Sequence, residues 1–130
     1  MVDASVAVAW FVNEPGSERA DRLLEDGLRL LAPDILAVEA AGAWSRKAQH
    51  DEMSPDDVLS ALSDLRSLGL VWTAASDLLA EALELSLKLT HPVVDCVYIA
   101  LARRSGAPIA SDDRQLGRAA LLAGVKMLSG

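Results

Sequence analysis

Short apolar runs rich in β-branched residues alternate with longer helical stretches along the whole of this 130-residue chain, and few folds accommodate such a pattern. Val2 to Val8 reads as a first strand that ends near Asp3 and leads into a helix or turn. Asn13, Glu14, Pro15 and Gly16 then break the pattern. Behind a Ser17 N-cap, Ala20, Leu23 and Leu24 recur at helical spacing to Asp26, and Gly27 closes this first amphipathic helix. Leu28 to Ala32 is a second strand. Pro33 and Asp34 open a long helix to about His50, with Ile35, Val38 and Trp44 turned to a core.

Ser54-Pro55-Asp56-Asp57 starts the next helix strongly, with a cap, a first-turn proline and acids at the positive helix end, and Gly69 ends it. Leu70 to Thr73 is a third strand, and Leu78, Leu79, Ala82, Leu85 and Leu89 mark a helix from Ser76 to Leu89. Pro92 starts a helix over 93 to 104 that is apolar nearly all round. Pro108 to Ser111 reads as a fourth strand, Arg114 to Ala123 as a helix, and Val125 to Leu128 as a fifth strand. Strands alternating with helices predict a single α/β domain over residues 1–130, a three-layer α/β/α sandwich around a mostly parallel sheet of about five strands. A ligand site in such a sheet lies beyond the carboxyl ends of its strands.

Composition narrows the function classes. With 52% hydrophobic residues the chain can bury a core. It contains no run of roughly 18 apolar residues for crossing a bilayer and no secretory leader pattern, so a soluble cytoplasmic protein is expected. Its single cysteine, Cys96, makes no internal disulfide, fits a reducing compartment and argues against zinc. Twelve basic against nineteen acidic residues give a net charge of −7, which counts against nucleic-acid packaging by overall charge. It leaves room for a nuclease whose carboxylates are neutralised by divalent ions.

Most of the acids, Glu18, Asp21, Glu25, Asp56, Asp57, Asp64, Glu81 and Glu84 among them, belong to helix starts or solvated faces. Four others do not. Asp95 lies in the apolar segment Pro92 to Ala102 with Tyr98 and Ile99 one turn on and no basic residue within a turn. A carboxylate there is costly to bury unless paired or bound to metal, though a helix-start acid facing the dipole also accounts for it. Glu39 has small or apolar neighbours and no cation at i±3 or i±4; an exposed helix glutamate is its plain alternative. Asp3 stands where strands disfavour aspartate, or at a solvated terminus. Asp112 and Asp113 follow a strand and open a helix, and one acid suffices for capping. In a parallel α/β fold these acids can converge at one edge, and three or four convergent carboxylates suit Mg²⁺ or Mn²⁺.

On these residues the chain resembles the PIN domain, and in particular the toxin nucleases of bacterial VapBC toxin–antitoxin pairs. The matching pieces are Val2-Asp3-Ala4-Ser5-Val6, Ala32-Pro33-Asp34-Ile35-Leu36-Ala37-Val38-Glu39, Val94-Asp95-Cys96-Val97-Tyr98-Ile99-Ala100-Leu101-Ala102 and Ile109-Ala110-Ser111-Asp112-Asp113-Arg114-Gln115-Leu116. Two points depart from the family pattern: only Met1 and Val2 precede the first aspartate, and the last acid is doubled, with the spacing after Ser111 favouring Asp113 over Asp112.

The resemblance implies Mg²⁺- or Mn²⁺-dependent endonucleolytic hydrolysis of RNA. Asp3, Asp95 and Asp113 would hold metal, Glu39 would help through a water, and Ser5 and Ser111 would hydrogen-bond the acids. It also implies a homodimer and a cognate VapB-like antitoxin that blocks the acidic site. Among Arg46, Lys47, Arg103, Arg104, Arg114 and Arg118, Arg114 is the candidate for RNA phosphate contact. Trp10, Trp44 and Trp72 suit core or interface packing better than base stacking. A phosphohydrolase or phospho-accepting receiver would need a downstream lysine near the phosphate, and the only late one, Lys126, lies inside the last predicted strand. A non-catalytic PIN-like RNA- or protein-binding module is the alternative from another class.

Overall fold

A computed structural model describes residues 1–128. The chain enters helix almost at once, with α1 over Ala4–Ala9 and α2 over Ser17–Glu25. Strand β1 (Leu31–Pro33) is followed by α3 (Ile35–Gln49) and α4 (Pro55–Ser67). Strand β2 (Val71–Thr73) is followed by α5 (Ala75–Leu89), α6 (Val93–Ser105) and α7 (Arg114–Leu122). The two strands pair in parallel, Leu31 with Val71, Ala32 with Trp72 and Pro33 with Thr73.

The sheet differs from the expected five strands: among the described residues it has two. The other three predicted strand segments meet through isolated parallel bridges, Val2 with Ala110 and Ile109 with Met127. Backbone hydrogen bonds still run edge to edge, from Val2 N to Leu31 O, from Ala110 N to Met1 O and from Leu128 N to Ile109 O. The first predicted strand is short for a definite reason. Asp3 caps a helix, its side chain accepting from Val6 N, so Val6 and Val8 are helical despite their β-branching. Burial of Val6, Ala7, Val8 and Ala9 overrides propensity.

Side-chain caps start two further helices, α4 and α7. Ser54 accepts from Asp57 N at the start of α4 with Pro55 behind it, as its sequence indicates. Ser17 is not the cap of α2: that position is Gly16, at φ +98°, while the Ser17 hydroxyl donates to Val12 O and pins the preceding loop. Gly16 also lies tight against the chain's far end, since a Cβ there would stand 2.8 Å from Asp112 Oδ2. Asp34, a candidate opener of α3, makes no cap bond there; its Oδ1 accepts from Ala75 N and so ties the start of α5 to the end of β1.

Helix α6 is the spine of the core. Every side chain from Cys96 through Ala102 is buried, and the helix packs on α5 and β1. Each large aliphatic side chain so buried contributes roughly 1.5–3 kcal/mol. Trp44, Tyr98, Leu36, Leu65, Leu78, Ile99, Ile109 and Leu116 are the largest fully enclosed side chains apart from Pro33, Val2 and Cys96. Trp44 meets Phe11 edge to face at 5.6 Å, its Nε1 without an acceptor among the described residues. Val38 departs from expectation: it is 67% exposed, because Leu36, Ala40 and Trp44 form the inward face of α3. Leu79 likewise faces outward on α5, along with Leu83 and Leu87. Among the described residues no single helix is long and apolar enough to cross a membrane.

Candidate active site

Asp3 is the most constrained acid. Only 5% of it is exposed, and both its oxygens are engaged. Oδ1 accepts from the Ser5 hydroxyl at 2.6 Å and from Val6 N at 3.3 Å; Oδ2 accepts from the Ser111 hydroxyl. The bridge between Val2 and Ala110 brings these segments together, with Asp3 N donating to Ala110 O. Burial pushes the Asp3 carboxyl above its ordinary range. The bonds from Ser111, Ser5 and Val6 pull it back in part, and the charge on Asp113 adds to the rise.

Ser111 passes the connection onward, since its Oγ accepts from Asp113 N at 2.9 Å. Asp113 caps α7 by accepting from Gln115 N and Leu116 N through Oδ1. The neighbouring Asp112 is differently employed. It forms an ion pair with Arg19 at 3.1 Å, while its N–H donates to the Ser5 hydroxyl. Arg19 also reaches Leu128 O, so the pair fastens α2 to the end of the described chain.

Glu39 is half-buried on α3, and Tyr98 of α6 donates its hydroxyl to Oε1 at 2.5 Å. Burial, this hydrogen bond and the charges of Glu39, Asp3 and Asp95 push the Tyr98 phenol far above its ordinary range. Tyr98 thus ties Glu39 to the helix that carries Asp95, and the like charge of Asp113 adds to the rise at Asp3. No lysine or arginine pairs with Asp3, Glu39, Asp95 or Asp113 among the described residues.

Asp95 does have a basic neighbour. His91 Nε2 lies 2.7 Å from Asp95 Oδ2, one turn back, which corrects the expectation of none within a turn. The i−4 spacing was the signal. Asp95 is also a first-turn acid of α6, so the dipole reading of it stands as well. Tyr98 was counted only as an apolar neighbour, although a hydroxyl in so apolar a helix requires a buried acceptor.

A cavity of about 480 Å³ opens beside Glu39, bounded by Ser5, Ala43, Arg46 and Asp112 as well. Arg46 is the cation on its wall; Arg114, at the start of α7, is exposed and outside it. Lys47 is occupied by Glu14 and Glu52, and Arg104 by Asp77 O and Glu81. A larger cavity of about 690 Å³ lies away from Asp3, Glu39, Asp95 and Asp113, between Phe11, Glu14, Met53 and Ala61.

The donors are all oxygen, which suits a hard divalent cation, and the unbalanced negative charge calls for one. Among the described residues, however, no three Asp, Glu, His or Cys side chains close into a ready-made ligand set. Such spacing is compatible with a cation held partly through water and substrate phosphate.

The PIN domain family profile matches residues 1–122. Ribonuclease VapC3 of Pyrobaculum aerophilum is 31% identical over 118 residues, spanning 89% of this chain and 90% of the relative. The crystal structure of PAE2754 from Pyrobaculum aerophilum superimposes with a TM-score of 0.73 at 20% identity, covering 91% of this chain and 76% of that one, a likeness of fold. The parallel strand pair, the helices around it and these matches agree: the chain belongs to the PIN-domain family and is similar within it to the VapC ribonucleases.

Proposed function

We propose that the chain is a single-domain Mg²⁺- or Mn²⁺-dependent endoribonuclease, the toxin of a toxin–antitoxin pair, with Asp3, Glu39, Asp95 and Asp113 as its working acids. The observation that carries the reading is geometric: the Ser111 hydroxyl links Asp3 to Asp113, and the Tyr98 hydroxyl links α6, which carries Asp95, to Glu39, with no lysine or arginine partner for these acids among the described residues. Asp3, Asp95 and Asp113 would hold the cation. When bound there it supplies an acidified water and offsets charge on the scissile phosphate.

The chain's own groups do the rest. Ser5 and Ser111 hold the Asp3 oxygens in place, and Asp113 is held by the helix end it caps. Glu39 keeps Oε2 for a water, which it orients and whose proton it accepts. Arg46, on the cavity wall, and Arg114 are the candidates for contacts to RNA phosphates. The similarity to ribonuclease VapC3 supports RNA as substrate and a VapB-like antitoxin as partner; action in the cytoplasm is part of the same proposal. A homodimer belongs to the same proposal.

One observation favours a second reading. The absence of a closed three-ligand set among the described residues suits a PIN-like module that binds RNA or protein without cutting. Incubating the chain and an Asp95→Asn variant with total RNA separates the two. Cleavage by wild type with Mg²⁺ or Mn²⁺, abolished by EDTA and by the substitution, supports the nuclease. No cleavage, together with no Asp95-dependent metal binding in calorimetry, leaves the binding module.

A further inference from the structure

A glutamate side chain on a helix turns about three bonds, and holding it in one direction has an entropic cost. Around Glu39 the helix offers little restraint, since Ala40, Ala41, Gly42 and Ala43 follow it and Val38 beside it faces solvent. Among the described residues its hydrogen-bond partner is the Tyr98 hydroxyl. Tyr98 is itself fixed. It is 2% exposed, and it sits one turn beyond Asp95 on the most buried stretch of α6.

We propose that Tyr98 is a positioning residue for the RNA cleavage reaction: by donating to Oε1 of Glu39 it aims the opposite oxygen, Oε2, at the site. The inference rests on the nuclease reading above. A hydrogen bond from phenol to carboxylate is charge-assisted and short, and it couples α6, which carries Asp95, to α3, which carries Glu39. The hydroxyl cannot serve as a base, because burial and the negative groups around it hold its proton in place. Its contribution is direction. A neutral buried acceptor would have satisfied the phenol equally well, and the choice of an acid with one free oxygen is what points to the site.

Tyr98→Phe removes one oxygen and leaves the core ring. With wild type and variant matched for folded fraction by circular dichroism, kcat on a labelled RNA at saturating Mn²⁺ should fall roughly tenfold to a hundredfold. KM should stay within about twofold, since ground-state contacts with RNA are untouched. Mn²⁺ binding followed by electron paramagnetic resonance should weaken in the same variant, a readout independent of turnover.

Glu39→Asp provides a second handle if the phenylalanine variant folds poorly. It keeps the charge on a half-buried surface and withdraws it one methylene from the phenol, so the same loss in kcat is expected. A wild type that cleaves while both variants keep kcat and Mn²⁺ affinity within about twofold overturns the positioning role and leaves the nuclease reading intact. A wild type that does not cleave overturns both.

Discussion

Ser111 lies 108 positions from Asp3 in the chain, yet it donates its hydroxyl to one Asp3 oxygen and accepts from the backbone N–H of Asp113. One small side chain thus spaces two candidate acids whose like charges oppose each other. Replacing Ser111 with alanine leaves Asp3 Oδ2 buried without a donor. The expected cost is about 1–3 kcal/mol in urea unfolding, with a fall in cleavage rate larger than the loss of folded protein explains.

The doubled acid can be resolved by substitution. Asp113→Asn should lower metal-dependent cleavage by roughly a hundredfold or more, as for a lost acid–base or ligand group, while helix α7 keeps its cap because asparagine also caps. Asp112→Asn should cost less than about tenfold in rate. Its ion pair with Arg19 is part-exposed and contributes about 0–1 kcal/mol. Comparing both rates under one Mg²⁺ concentration decides which acid belongs to the site.

Asp3 predicts an unusual pH dependence. Its pKa in the folded chain is raised above the unfolded value, so in the window between the two the folded state binds the extra proton. Stability therefore decreases as pH rises through that window, and the cost of the buried charge is complete above it. Asp3→Asn removes the charge and retains the cap of α1. In EDTA, thermal unfolding should show the variant gaining on wild type as pH rises above about 4, while its RNA cleavage is lost. A stability difference between variant and wild type that does not change with pH would refute this account.

Trp44 offers a test confined to the core. It is fully buried, and its indole N–H has no acceptor among the described residues, so the ring contributes by packing alone. Trp44→Phe should fall within about 1–2 kcal/mol of wild type in chemical denaturation, against about 3–5 kcal/mol for Trp44→Ala.

Much of this architecture is written in local sequence. Ser54-Pro55, Gly106 and the apolar spacing of α5 and α6 place helices to within a residue or two, because caps and periodicity act locally. The three segments at Val2, Ile109–Ala110 and Met127 were misjudged in extent, since each is only long enough for a bridge and strand length depends on partners far away. The reading of a strand that ends near Asp3 and passes into a helix or turn agrees with α1, and the Asp3 cap fixes where that helix starts.

At the candidate site the acids stood out by being out of place and the resemblance supplied Ser5 and Ser111 beside them, whereas the partners of Asp95 and Glu39 were less apparent. His91 was visible at helical spacing from Asp95. Tyr98 reaches Glu39 across 59 positions, and no local pattern carries that pairing.

The lone bridge between Val2 and Ala110 bears on how such a chain is made. A polypeptide emerging from the ribosome presents Asp3 a full 108 positions ahead of Ser111. Until the Ser111–Asp113 segment arrives, Asp3 has no Ser111 donor and no Asp113 beside it, and the loop that must close is almost the whole chain. A product that stops before Ser111 therefore lacks both Asp113 and the hydroxyl that holds Asp3 Oδ2.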